Sequence, residues 1–259
     1  MTSVRKYGII SKVLCISFVF AGVVVWGFGY QISAWHYTKQ LRASHPHIDL
    51  VPQPLSPVVP SDARGTTLTH YGYEFEVPWL DPQIVRDIPL IVNYEAPSGQ
   101  ILVFWHPERS PVTAGIKNAA RDQKLNYEKV LGKEGLQSDY SLLKAEMEVT
   151  PNQILPFMSK NDAVRRMIFL TMKATMIAKK ISAIYSFNLD NLHGFQFGNP
   201  ATDELIQVQA YDSDDLLIRF FFAMKDRSSG KIRQAEINRV LETFHRSAKS
   251  EEQRPGAGN

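Results

Sequence analysis

Hydrophobic and polar positions fall into three regimes along this 259-residue chain. From Val13 to Trp35 no charged residue occurs. From Ser44 to Arg64 prolines recur, with five between Pro46 and Pro60. From Thr66 onward apolar residues repeat either every second position or at spacings of three and four, the periods of strand and helix.

The first regime predicts a transmembrane helix over 13–35, preceded by a cytoplasmic segment, 1–12. Twenty-three residues rising about 1.5 Å each make roughly 34 Å of helix, enough for a hydrocarbon core of about 30 Å. Trp26, Tyr30 and Trp35 fall toward its far end, where amphipathic rings favour the interface. A cleaved leader fits less well, because Ile32-Ser33-Ala34-Trp35-His36 offers no A-x-A site and the apolar run is too long. Arg5, Lys6 and Lys12 before the span outweigh Lys39 and Arg42 after it. That bias puts the N-terminus in the cytoplasm and the rest outside it, in a bacterium the periplasm.

The second regime reads as a juxtamembrane spacer over 36–65. Proline removes backbone donors and fixes φ, so polyproline II is expected. At about 3.1 Å per residue, 44–64 reaches roughly 60 Å and holds the body off the bilayer.

The third regime predicts an α+β domain over 66–248, an antiparallel sheet of hairpins packed by helices on one face. Tyr71, Tyr73, Phe75 and Val77 alternate with Gly72, Glu74 and Glu76 as one strand. Leu90–Asn93 and Gln100–His106 make a hairpin, as do Ala183–Leu189 with Leu192–Phe197 and Leu205–Tyr211 with Leu216–Met224. Helices are expected over Val112–Leu131, Asp139–Val149 and Lys160–Ile181, and a last one after Gly230. Residues 249–259 form a polar tail, read as disordered.

The stretch YGYEFEVPW, and the later GFQFG and IQVQAYDSDDLLIRFFF ahead of a C-terminal helix, resemble Mog1/PsbP-like domains. The resemblance covers Thr66–Arg246 in outline, and the helical insert from Val112 to Ile181 departs from it. It implies an α/β/α-like sandwich used mostly for binding, with no shared catalytic set.

Charge narrows the function. The net charge is +3, yet Arg5, Lys6 and Lys12 supply that much before the apolar run. The body thus has no broad basic footprint, and nucleic acid is not the expected partner. Cys15, the only cysteine, lies in the apolar run, so no intramolecular disulfide forms and no thiol serves the body. No phosphate-binding loop, dinucleotide fingerprint, nucleophile elbow or H-E-x-x-H helix occurs. No cofactor is called.

Three constellations carry candidate chemistry. His70, His106 and His193, each beside a strand, form a metal or acid–base site if they converge with Glu74, Glu76 or Glu108. Asp212, Asp214 and Asp215 offer oxygens to calcium, without the glycine of an EF-hand. Lys160, Arg165, Arg166, Lys173, Lys179 and Lys180, against Asp162 alone, give the third helix a cationic face suited to docking an acidic partner or anionic headgroups. The expected function is therefore a single-span membrane protein, held in lipid by its N-terminal helix, whose extracytoplasmic domain binds or assembles with an envelope protein. The alternatives are an envelope hydrolase without a readable motif and a carrier of apolar ligands or lipid.

Overall fold

The computed structural model describes residues 29–56, 65–109, 118, 121, 126, 128, 131, 137–155, 157–226 and 230–247. In chain order its strands are β1 (Gln53–Pro54), β2 (Thr66–His70), β3 (Tyr73–Val77), β4 (Gln83–Ile88), β5 (Ile91–Glu95), β6 (Gln100–Arg109), β7 (Ile184–Asn188), β8 (His193–Phe197), β9 (Leu205–Tyr211), β10 (Leu216–Met224) and β11 (His245–Arg246). Its helices are α1 (29–44), α2 (Asp139–Glu148), α3 (Lys160–Met176) and α4 (Gln234–Thr243). One sheet runs β1-β7-β8-β9-β10-β6-β5-β4, antiparallel except where β1 joins β7, and a smaller one runs β11-β3-β2.

Alternation along the strands sorts side chains to two faces. Phe104 of β6, Val208 of β9, and Phe220 and Phe222 of β10 face the small sheet and α4. Their centre is aromatic: the Phe104 and Phe220 rings stack at 5.1 Å, with Phe75 5.3 Å from Phe104 and Phe244 5.5 Å from Phe220. Trp79 locks α4 in place, its indole N–H donating to the buried Glu236 carboxylate at 3.1 Å. On the other face Leu143 and Met147 of α2 cover Phe195, Phe197, Tyr211 and Leu217. Leu142 of α2 meets Val164, Ile168 and Phe169 of α3, and Trp35 and Leu41 of α1 pack with Leu170 and Ala174 on the far side of α3.

The α+β class and the three patterned hairpins are present, while helices cover both faces rather than one. Three element boundaries differ from expectation. Tyr71 and Gly72 have φ of 52° and 79°, so they form a two-residue turn between β2 and β3 and the alternating run is shorter than it reads. β4 was not expected, because its exposed Ile84 and Val85 carry no buried face to pattern. The α3 helix ends at Met176, where Ile177 turns extended and is buried against the sheet side. The expected helix over Val112–Leu131 lies mostly outside the described residues, as does the tail 249–259.

The spacer expectation is overturned for 36–56. Helix α1 carries the chain to residue 44, and a short 3-10 turn, Pro46–Asp49, buries His47 and Ile48. Gln53 and Pro54 then pair with Tyr185 and Ser186. Proline is admissible here because β1 is an edge strand, where a missing N–H costs no ladder bond. The domain thus starts at or before residue 29, inside the expected span; 13–28 lies outside the described residues.

Lys173 fastens these pieces together. Its side chain is fully buried, and its ammonium donates to the carbonyls of Leu50, Met147 and Val149 at 2.6, 2.7 and 2.9 Å. One side chain of α3 thereby satisfies the C-terminal carbonyls of α2 and the segment leading into β1, groups that burial would otherwise leave unpaired. Lys173→Met should cost about 3 kcal/mol or more, since three buried acceptors lose their donor. Thermal unfolding should then fall by roughly 10 °C, while Lys179→Met, at an exposed position, leaves it unchanged. Equal melting of the two variants contradicts the assignment.

Candidate functional site

The expected histidine site does not assemble. His70 and His106 flank one ring, Tyr71, at 4.2 and 4.7 Å, on the side of the sheet where Tyr71 meets Phe104. His193 stacks on Tyr211 and meets Tyr140 at 4.1 Å, on the opposite face under α2. Burial lowers its pKa, against the pull of Asp215 and Asp212. Among the described residues no group of three His, Cys, Asp or Glu side chains stands ready to hold a metal.

The acidic hairpin tip is structural. Asp212 Oδ2 accepts from the Tyr73 hydroxyl at 2.8 Å and from the Arg246 guanidinium at 2.6 Å, and its Oδ1 accepts from the backbone N–H groups of Asp214 and Leu216. Despite burial, which raises it, these hydrogen bonds hold its pKa below the usual carboxylate range. Arg246 also pairs with Asp214 at 2.6 Å. Asp215, at φ 58°, accepts from the Asp139 and Tyr140 N–H groups and so caps α2. The three carboxylates tie β10, β11 and α2 together instead of facing a cation.

The cationic face of α3 also comes apart. Lys173 points into the interior, contrary to its expected place on that face. Arg165 pairs with Asp162 at 2.8 Å, and Arg166 donates to the Gln153 carbonyl at 2.5 Å. Lys160 lies at the start of the helix, whereas Lys179 and Lys180 lie past its end. A helix of this length separates them by about 25 Å. Only these three are exposed, and they form no single patch.

A cleft of about 470 Å³ opens instead at the β7 edge of the large sheet. Leu55, Phe187, Leu189, Phe195 and Leu241 give it apolar walls, Tyr140 closes one side, and Lys144, Glu148 and Glu242 ring the mouth. Between β8 and α4 the Gln196 and Gln234 amides exchange two hydrogen bonds at 2.8 Å, and Gln234 donates a third to Asn238. The amides satisfy one another in the interior, which fixes α4 over β8.

The edge itself is shaped by β1. The Ser186 carbonyl accepts from Leu55 N–H at 2.8 Å. Leu189 N–H bonds inward to Leu192, so the backbone of Asn188, of Ser186 parity, faces the same outer edge as Ser186. β1 ends at Pro54 opposite Ser186, and among the described residues no strand runs beside Asn188. Leu55, Leu241 and Tyr140 escaped sequence reasoning because they gather from three distant segments. Ile48, Leu50 and Leu55 among the prolines were a readable sign that this stretch packs.

No protein-family model matches the chain, and no curated protein matches it. The likeness to Mog1/PsbP-like domains thus rests on the residues quoted for it.

A second polar feature lies deeper. Glu146, fully buried between α2 and α3, has neither carboxylate oxygen hydrogen-bonded. Burial pushes its pKa up to about 8, with the Lys173 charge pulling the other way. Burial likewise pushes Lys173 down to about 8, against the charges of Glu146 and Asp49. Unfolded, Glu146 ionises near pH 4.5, so the folded state binds one more proton between there and pH 8. Stability from this group is complete below that window and falls as pH rises through it, by at most about 1.4 kcal/mol per unit. Glu146→Gln should remove that slope. Denaturation at pH 5, 6 and 7 should show wild type losing ground to the variant, and parallel profiles contradict the buried-proton account.

Proposed function

We propose that this chain is a single-span membrane protein whose α+β body binds an extended polypeptide segment of an envelope partner in the cleft at the β7 edge. The observation that carries the reading is the short β1: the outward backbone of Asn188 lies beside an apolar trough. A strand laid there would extend β1 along the sheet and set alternate side chains against Leu189 and Leu241, with main-chain bonds for affinity and the trough for selectivity. Lys144, Glu148 and Glu242 offer charge of both signs at the mouth for the partner's polar positions.

The membrane half rests on the uncharged stretch from Val13 up to the start of α1 and on the positive bias before it. Among the described residues no helix is long and apolar enough to cross a membrane. The Mog1/PsbP-like resemblance, if it reflects kinship, points the same way, toward a binding role.

A photo-reactive residue at Glu242, exposed at the mouth of the cleft, in chains left in their native membrane, should capture a discrete partner. Asn188→Pro should reduce that capture at least tenfold, because proline removes the edge donor without touching the trough walls. Undiminished capture by Asn188→Pro excludes strand addition, and absence of any adduct combined with turnover of an ester or amide substrate favours the hydrolase.

A further inference from the structure

The domain has a rim that bears directly on where it sits relative to lipid. Leu155 and Phe157, just before α3, are 59 and 70 % exposed. Lys160, exposed at the first position of α3, holds its ammonium 5.5 Å from the Tyr30 ring centre. Met158 packs with Trp35 in the cluster between α1 and α3. The start of α3 and the loop before it are thus neighbours of the end of α1 that continues from the apolar run.

Length then constrains the arrangement. Crossing about 30 Å of hydrocarbon takes about 20 helical residues. Counted from Val13, that distance is reached near residue 32. Yet from residue 29 the chain already belongs to the domain: Gln31 and Ala34 are buried, and Tyr30 packs against the α2–α3 cluster. Read as helix, the expected span before residue 29 would supply about 24 Å. Seating the rim around Tyr30 within the membrane interface would make good that shortfall.

We propose that Leu155 and Phe157, with Lys160 at their edge, form a second membrane contact, a wedge in the outer interface of the same bilayer that holds the N-terminal span. Apolar side chains at this depth bury into the headgroup–acyl boundary, and a lysine beside them pairs with anionic phosphate while its stem stays in the apolar layer. The occupant is an anionic phospholipid leaflet. This inference rests on the membrane-anchor reading above, and it changes the picture of the body from a tethered module to one seated on the membrane with fixed orientation.

The test uses the full chain in vesicles of phosphatidylcholine and phosphatidylglycerol. One preparation carries an environment-sensitive fluorophore on the native Cys15, and another, in a Cys15→Ser background, carries it at Phe157→Cys. Quenchers are iodide in the water and nitroxides attached to lipid near the headgroup or deep in the chain. At position 157 the fluorophore should be quenched several-fold more by the shallow lipid nitroxide than by iodide, and Lys160→Glu should reduce the lipid quenching by at least half. Cys15, two residues into the span, should respond to the lipid-attached nitroxides and be shielded from iodide. If Cys15 does so while position 157 is quenched by iodide alone, the wedge is wrong and the anchor stands. If neither position senses lipid, the anchor falls and the wedge with it.

Discussion

The ammonium of Lys173 is the constraint on which the arrangement depends. Buried at the middle of the helical layer, it reaches carbonyls in two separate segments, one at the end of α2 and one leading into β1. A buried cation is costly to desolvate, and three short charge-assisted hydrogen bonds offset that cost. The unbonded Glu146 carboxyl lies in the same layer, and burial favours its neutral form. Around this point α1 and α3 pack, and the segment after the 3-10 turn is directed to the sheet edge.

That single fastening has consequences at both ends of the molecule. At one end it draws Leu50 toward α3, so the next few residues reach β7 and add β1. The edge is covered for two residues, and among the described residues no strand lies beside Asn188, where the cleft opens. At the other end the same helix, α3, packs against α1 through Leu170 and Ala174, which meet Trp35 and Leu41, so α1 is part of the domain although sequence alone assigned 29–35 to the bilayer. The acidic tip works similarly at the end of the β9–β10 hairpin: Asp212 gathers Tyr73 and Arg246, and Asp215 caps α2. Polar side chains of this protein are employed chiefly in joining layers, which explains why motif reading found no reactive set among them.

Legibility followed locality. The strands β5 to β10 were readable because each exposes one apolar face to a core, and Phe220 and Phe222 share parity with Ile206 and Val208. Helix α3 was readable from its stripe, yet Lys173 on it was misplaced, because a lone lysine beside a stripe looks the same whether solvated or capping another helix's carbonyls. The prolines misled for a different reason: they argue against central strand and helix, whereas Pro46 opens a 3-10 turn and Pro54 lies in an edge strand. Tyr71 extended a genuine alternation into a turn. The cleft was not legible at all, since its walls come from segments around 55, 140, 187 and 241 that only tertiary pairing brings together.

The central claim is that the segment emerging from the apolar run is an integral layer of the domain and not a tether. Backbone hydrogen exchange on the full chain in vesicles tests it most directly, read over 36–44, the part of α1 beyond the expected span. The account predicts that these amides exchange as slowly as those of α3 and are released with it, because the two helices share one buried cluster. Exchange over 36–44 at the rate of a free helix, with α3 still protected, would contradict it.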